Sequence, residues 1–405
     1  MSLDIVQIKA LLLDILTATT DTASTMVEWV MAEILHNPDV KTKIQEELTE
    51  VVGMNIVEES HLPRLKYLDA VVKETFRLHP SLPLLIQRCP DESCMVGGYT
   101  IPKGSIVYIN VWAIHHDPKN WTNPLEFQPK RFLNGKWDYK GNNTKFLPFG
   151  SGRRICPGIP LGEKMLIKRL QLSCSPIALE GTHQVAAVVE LSMTMVAALV
   201  ERKQRKKMSI ERGSTFTIMF ISFTTNMKSG VQNKIYVTMI NYWSWWWEAN
   251  NDRDALARTI LTISVPVLAL LWYNWTVSFG NNGRIWLPPG PYGIPIFGYL
   301  PFLSPNLHER FTEMANKYGP IFSLRLGSKL HVVVNSMDLA KVVARELDQT
   351  FANRSPPITA LTITYGALDV VWSNNNAHWR NMRKLLVSQV LSNANLDACQ
   401  GFRTN

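Results

Sequence analysis

Apolar residues recur at helical spacing from Ile5 to about Leu35, and Asn37-Pro38 closes the run, which predicts one long helix. Pro38 to Val52 predicts a second amphipathic helix, and His61 to Leu78 holds a third. From Gly97 to Ile109 the pattern changes to alternation broken by Gly97-Gly98 and Pro102-Lys103-Gly104, which predicts short β-strands. Ile159 to about Leu172 returns to helical spacing. Further on, Phe311 to Tyr318 predicts a helix, and Ile321 to Val334 a hairpin turning at Gly327-Ser328. Ala377 to Leu386 predicts one more helix. The fold class is therefore mainly α with small β-sheets (α+β).

Two stretches stand apart. Ser173 to Thr238 joins an apolar run, Val185 to Val200, to the basic run Arg202, Lys203, Arg205, Lys206 and Lys207 and then to a Ser/Thr-rich tract. Thr259 to Gly280 contains no charged residue and follows the charged Asp252 to Arg258. At roughly 20 residues it is long enough to span a bilayer, with Trp272, Tyr273 and Trp275 suited to an interface. A Pro/Gly-rich hinge, LPPGPYGIPIFGYL, runs from Leu287 to Leu300.

Composition narrows the class. With 405 residues, 46% hydrophobic and 19% charged, the chain can bury a large core. The net charge of +9 suits acidic partners or a membrane surface, although part of it sits in the one basic run. The five cysteines, Cys89, Cys94, Cys156, Cys174 and Cys399, are odd in number and irregularly spaced, which argues against a disulfide framework and for a reducing compartment. Asp4, Lys9 and Asp14 interrupt the first apolar residues, so no secretory signal is expected.

The chemistry centres on FGSGRRICPG, from Phe149 to Gly158. Its glycines and proline let the backbone approach something flat and bulky. The helix expected after it, together with Arg153 and Arg154, should favour a thiolate at Cys156. A thiolate on a tight loop flanked by cations suits an axial haem ligand. In the first helix, Asp21 and Thr22 place an acid beside an alcohol within ATTDT, which is costly unless the pair has a task or a partner. Glu74 and Arg77, three apart, share one helical face. His115 and His116, ahead of Asp117-Pro118, suit a helix cap, because no further ligands lie at zinc spacing.

The spacing Phe-x-x-Gly-x-Arg-x-Cys-x-Gly resembles the haem loop of the cytochrome P-450 family. FRLHP, NVWAIHHDP and LPPGP add a plant microsomal flavour. The resemblance implies a cytochrome P-450-like fold, incomplete and with its halves permuted. A C-terminal-type haem-binding half at 1–172 precedes an unmatched linker at 173–238, an anchor and hinge at 239–286 and an N-terminal-type half at 287–405. It implies Cys156 as the haem iron's axial ligand. Arg88, Phe149, Arg154, Trp379 and Arg383 fall on cofactor-binding positions, and Asp21 and Thr22 on a proton relay to iron-bound dioxygen. Thr19 stands where the family usually has glycine. Glu74, Arg77 and Arg131, the last in FQPKRF, fall on a buried structural triad.

The implied activity is haem-thiolate monooxygenation of an apolar small molecule of terpenoid or phenolic type. Electrons would come from NADPH through a flavoprotein reductase, at the endoplasmic reticulum membrane and without nucleic acid. The alternative is a non-functional fusion of two tandem coding units. If Thr259 to Gly280 spanned a membrane, Cys156 and Trp379 would lie on opposite sides and the site would not assemble.

Overall fold

The computed structural model describes residues 4–53, 59–174, 252–279, 286–294 and 296–398. Two compact units form, one from residues 1–178 with 280–405 and one from 179–279.

In the larger unit, α1 (Ile5–His36) opens where the Asp4 amide donates to the Gln7 side chain. Pro38 starts α2 (Pro38–Val51) at a position where its missing N–H is of no consequence. The third helix is shorter than the periodicity predicts. Pro63 confines residues Glu59–Arg64 to a 3₁₀ turn, Leu65 leaves helical geometry, and α3 runs Lys66–Leu78. Glu47 of α2 compensates at the new helix start by accepting the Tyr67 and Leu68 amides at 2.6 and 2.9 Å. Met26, Val30 and Ile34 of α1 pack with Ile44, Leu68, Phe76 and with Leu166 of α5 (Ile159–Cys174; α4 is Val111–His115). Each large apolar side chain removed from water in this four-helix contact contributes about 1.5–3 kcal/mol to the first arm of the sequence, residues 4–174; residues 286–398 form the second arm.

Residues Gly97 and Gly98, both at positive φ, turn β1 (Cys94–Val96) onto β2 (Tyr99–Ile101). A second sheet has the order β3-β5-β4. Its outer strand β3 (Ile106–Ile109) lies parallel to β5 (Lys329–Val334), with Ile106 opposite His331 and Ile109 opposite Val334. The hairpin expected around Gly327 supplies β4 (Ile321–Leu326) and β5. Val332 and Val334 join the cluster of Val107 and Ile109, while Val333 faces Phe311 and Phe322 on the other side. Burial on both faces explains why β5 reads as a continuous Val-Val-Val run rather than an alternation.

This sheet corrects the expected topology. The two arms of the sequence share hydrogen-bonded strands in one compact unit, so they are not held on opposite sides of a bilayer. Among the described residues no helix is long and apolar enough to cross a membrane. The helix that carries the expected span, α6 (Asp252–Phe279), forms, but Thr259, Thr262, Ser264 and Pro266 interrupt its apolar residues. The sequence Trp272-Tyr273-Asn274-Trp275-Thr276 then dilutes its far end. Apart from Ser173 and Cys174, the stretch 173–238 lies outside the described residues.

Candidate functional site

The Cys156 loop is fixed from within and from below. The Gly150 amide donates to the Leu147 carbonyl at 3.1 Å and the Cys156 amide to the Phe149 carbonyl at 3.0 Å. Gly152 sits at φ 70°, where a Cβ would lie 1.9 Å from the Ala344 carbonyl oxygen, so the loop backbone rests directly on the π-turn Val342–Glu346. The Phe149 ring packs against Phe76 and Tyr139. Cys156 is half-buried, and its Sγ accepts the Gly158 amide at 3.4 Å, just ahead of α5.

The flanking cations are not where the spacing suggests. Arg153 turns out to Asp348 at 3.2 Å, and Arg154 is buried with its guanidinium committed to backbone carbonyls. Burial pushes the Cys156 thiol up; the Gly158 amide and the Arg383 charge oppose it, so the charge acting on the sulfur comes from the second arm.

Four arginines gather beside this loop. Arg154 donates to the carbonyls of Ala352 at 2.6 Å, Val370 at 3.2 Å and Ser373, and lies 4.1 Å over the Trp379 ring. Trp379, on α8 (Ala377–Leu385; α7 is Leu307–Tyr318), donates its indole N–H to the same Val370 carbonyl at 3.0 Å. Arg354 binds the carbonyls of Val371, Ile86 and Gln87. Arg383 donates to Ile155, and Arg88 to Ser151 at 2.7 Å, with Arg88 Nη1 buried and unpartnered.

Burial lowers Arg88 to about 10, and burial with the charges of Arg88 and Arg383 lowers Arg154 to about 9. Arg354 is pushed down by burial and by Arg154, Arg88 and Arg383. Asp369 is the carboxylate that eases both Arg154 and Arg354. Four guanidinium groups, eased by Asp369 and at Arg88 by Asp348, leave a positive field with an unused buried donor in it.

The long helix presents its acids differently from expectation. Asp21 is exposed, and the Thr22 hydroxyl donates to the Ala18 carbonyl. Thr19 and Thr20 bond back to Ile15 and Leu16 in the same way. The acid that α1 buries is Asp14, which accepts the Val370 amide at 2.7 Å. Its apolar neighbours Leu11 and Ile15, on the helix face that packs against Val370 and Trp379, are the sequence signal for this burial. Nothing in the local sequence around Arg354 marks it.

The expected triad is present and fully buried at its centre. Glu74 and Arg77 pair through two contacts of 2.8 Å, and Arg131 reaches Glu74 at 3.3 Å. Arg77 also donates to the carbonyls of His115, Pro124 and Glu126. His116 caps the short helix Val111–His115, as the spacing predicts, and His115, the last residue of that helix, is buried in the core. Its Nδ1–H donates to the Arg77 carbonyl and its Nε2 accepts the Leu147 amide, which ties the triad to the start of the Cys156 loop. Burial holds it neutral, with its pKa lowered to about 3.

The sequence profile described as "Cytochrome P450" matches residues 1–171 and 288–402, more than half of the chain. The chain belongs to the cytochrome P450 family. A flavonoid 3'-monooxygenase of Petunia hybrida is 52% identical over 165 residues, covering 40% of this chain and 32% of that protein. An (S)-N-methylcoclaurine 3'-hydroxylase of Papaver somniferum is 49% identical over 164 residues, covering 40% of this chain and 34% of its own length. These matches thus span about a third of the curated relatives. A zebra fish cytochrome P450 structure with abiraterone is 39% identical, covers 39% of this chain and 37% of its own, and has a TM-score of 0.36, too low to argue from.

The residues present fit a haem. A cysteine sulfur stands at a glycine-lined loop, and the unpartnered Arg88 Nη1 lies within a cationic cluster suited to two carboxylates.

Proposed function

We propose that this chain is a haem-thiolate monooxygenase inserting one oxygen atom of dioxygen into an apolar small molecule of phenolic or terpenoid type. Electrons would come from NADPH through a flavoprotein reductase at the endoplasmic reticulum membrane. The observation that carries the reading is the juxtaposition of Cys156 with the arginine cluster, each built from both arms of the chain. The relatives from Petunia and Papaver are named for hydroxylation of aromatic plant compounds, which favours a substrate of that kind.

Cys156 would be the sulfur ligand, and Arg88 and Arg383 would hold the propionates, Arg88 through its unpartnered Nη1. When bound, haem supplies the site of dioxygen reduction and oxygen transfer. Arg154 and Trp379 would act one step back, orienting the loop and α8 through Val370. Burial raises the Cys156 thiol, and the Gly158 amide and the Arg383 charge oppose that rise, favouring the thiolate a metal ligand needs. Thr22 and Asp21 would hold and pass protons on the α1 side.

A second reading, haem binding without turnover, has its own support in the exposed Asp21 and in the Thr22 hydroxyl committed to Ala18. Reduced, CO-treated protein separates these readings from a chain that takes up no haem. Thiolate-type absorbance lost in Cys156→Ser is the expected result, and an unchanged spectrum in that variant removes the assignment. Substrate turnover with added reductase then distinguishes the first reading from the second.

A further inference from the structure

Asp14 of α1 and Asp369, in the turn ahead of α8, bring two carboxyl groups within hydrogen-bonding reach inside the compact unit, one from each arm of the sequence. Both are buried, Asp369 with 0% exposure. Asp14 Oδ2 accepts the Val370 amide at 2.7 Å, and Asp369 Oδ2 accepts the Trp372 amide at 3.1 Å. Asp369 Oδ1 is buried with no partner. A buried carboxylate oxygen without a donor is costly, and two bare carboxylates side by side are costlier still. One proton relieves both problems, because an O–H on Asp14 supplies the donor that Asp369 Oδ1 lacks.

We propose that Asp14 and Asp369 share one proton, Asp14 as the acid and Asp369 as the carboxylate, and that this proton is a pH-sensitive clasp joining α1 to the Val370 segment. The clasp matters because Val370 is a hub. Its N–H goes to Asp14, and its C=O takes both Arg154 from the Cys156 loop and Trp379 from α8. Asp14 is thus a positioning residue for the loop and for the helix.

The charged groups facing the pair are Arg154 and Arg354, both eased by Asp369, while His378 of α8 bonds the adjacent Leu368 carbonyl at 2.9 Å. These cations favour the charge on Asp369 rather than on Asp14. Burial, with Asp369 beside it, raises Asp14 to about 7. The folded chain therefore holds a proton that the unfolded chain releases above 3.8, and the clasp weakens as pH rises from there to about 7.

The test compares Asp14→Asn, Asp14→Ala and Asp369→Asn with the parent chain, each unfolded in urea across that pH range and followed by tryptophan fluorescence. Differences are taken at equal pH, because the buried neutral histidines His115, His116 and His331 push stability the opposite way in acid. An asparagine at 14 imitates the protonated acid, donating to Asp369 and accepting from Val370. Its folding constant should gain on the parent by about tenfold per pH unit above 3.8, levelling near about 7. Asp14→Ala should lose stability at the acid end, where the clasp is closed. Asp369→Asn should shrink the same pH dependence to the part that burial of Asp14 alone sustains.

Equal loss in Asp14→Asn and Asp14→Ala overturns the shared proton, and so does an Asp14→Asn difference that is flat with pH. Should Asp14→Asn fail to fold, the infrared carbonyl band of a protonated carboxyl decides the matter. Between the ordinary carboxylate range and about 7 the parent should show a band that Asp14→Ala lacks; no difference between the two refutes the proposal.

Discussion

Replacing Arg154 by lysine tests whether the two arms are fastened at the Cys156 loop. The guanidinium makes three hydrogen bonds to carbonyls of the second arm, those of Ala352, Val370 and Ser373. An ammonium keeps the charge but, as a single nitrogen, reaches one carbonyl of this set. Val370 keeps the Trp379 indole N–H, so its oxygen is not stranded. Two charge-assisted hydrogen bonds at about 1.5–3 kcal/mol each are lost, giving a destabilisation of about 3–6 kcal/mol. Arg154 is only 8% exposed, so solvent does little to soften that loss. Against a total of about 5–15 kcal/mol for a folded domain, the effect takes a large share. Urea unfolding followed by tryptophan fluorescence reads it, since Trp379 lies 4.1 Å from the Arg154 guanidinium. Arg153→Lys is the control: its Asp348 pair is half solvent-exposed and should shift stability by less than about 1 kcal/mol. Equal urea midpoints for Arg154→Lys and Arg153→Lys would show that the carbonyl cage does not hold the arms together.

Glu74→Gln should cost about 3–5 kcal/mol and lower the yield of folded protein, because it leaves the Arg77 charge buried and unpaired; well-folded, haem-loaded but inactive protein would contradict this structural role. Gly152→Ala should unfasten the π-turn from the loop, seen as faster proteolysis near Ala344, since its Cβ would meet the Ala344 oxygen at 1.9 Å; unaltered proteolysis goes against the close approach. His115 is held neutral, so the unfolded chain binds a proton that the folded chain refuses. The His115 contribution to stability should therefore fall as pH drops from 6.5 to about 3, and His115→Gln, compared with the parent at equal pH by urea unfolding, should lack that contribution.

Much of the site was legible because its chemistry is local. Phe149 to Gly158 carries its own turn residues, and the Glu74–Arg77 pair is set by helical spacing. The β4–β5 hairpin followed from Gly327 between two strand-like runs. What could not be read depends on partners distant in sequence. The cations expected beside Cys156 were its neighbours Arg153 and Arg154, yet the charge that acts on the sulfur is Arg383, 227 positions away in numbering. Asp14 looked like one more interruption of an apolar helix until Val370 and Asp369 were set against it. The cap region at His115-His116 is local, but the core role of His115 is not, because the residue it serves, Leu147, lies beyond any local pattern. The run from Thr259 carries no charge, yet its tryptophans, tyrosine, asparagine and proline also lower the hydropathy of the helix.

The parallel pairing of β3 with β5 also sets a timetable for synthesis. Residues 106–109 leave the ribosome long before residues 331–334, which are to pair with them. At about 5–20 residues per second, the strand waits roughly 10–45 seconds for its neighbour. Throughout that interval β3 offers an open edge of backbone donors and acceptors to any other extended chain. Yield in a cell should then depend on how well that edge is shielded during translation, and supplying residues 286–398 as a separate peptide, made in advance, offers a way to close it early.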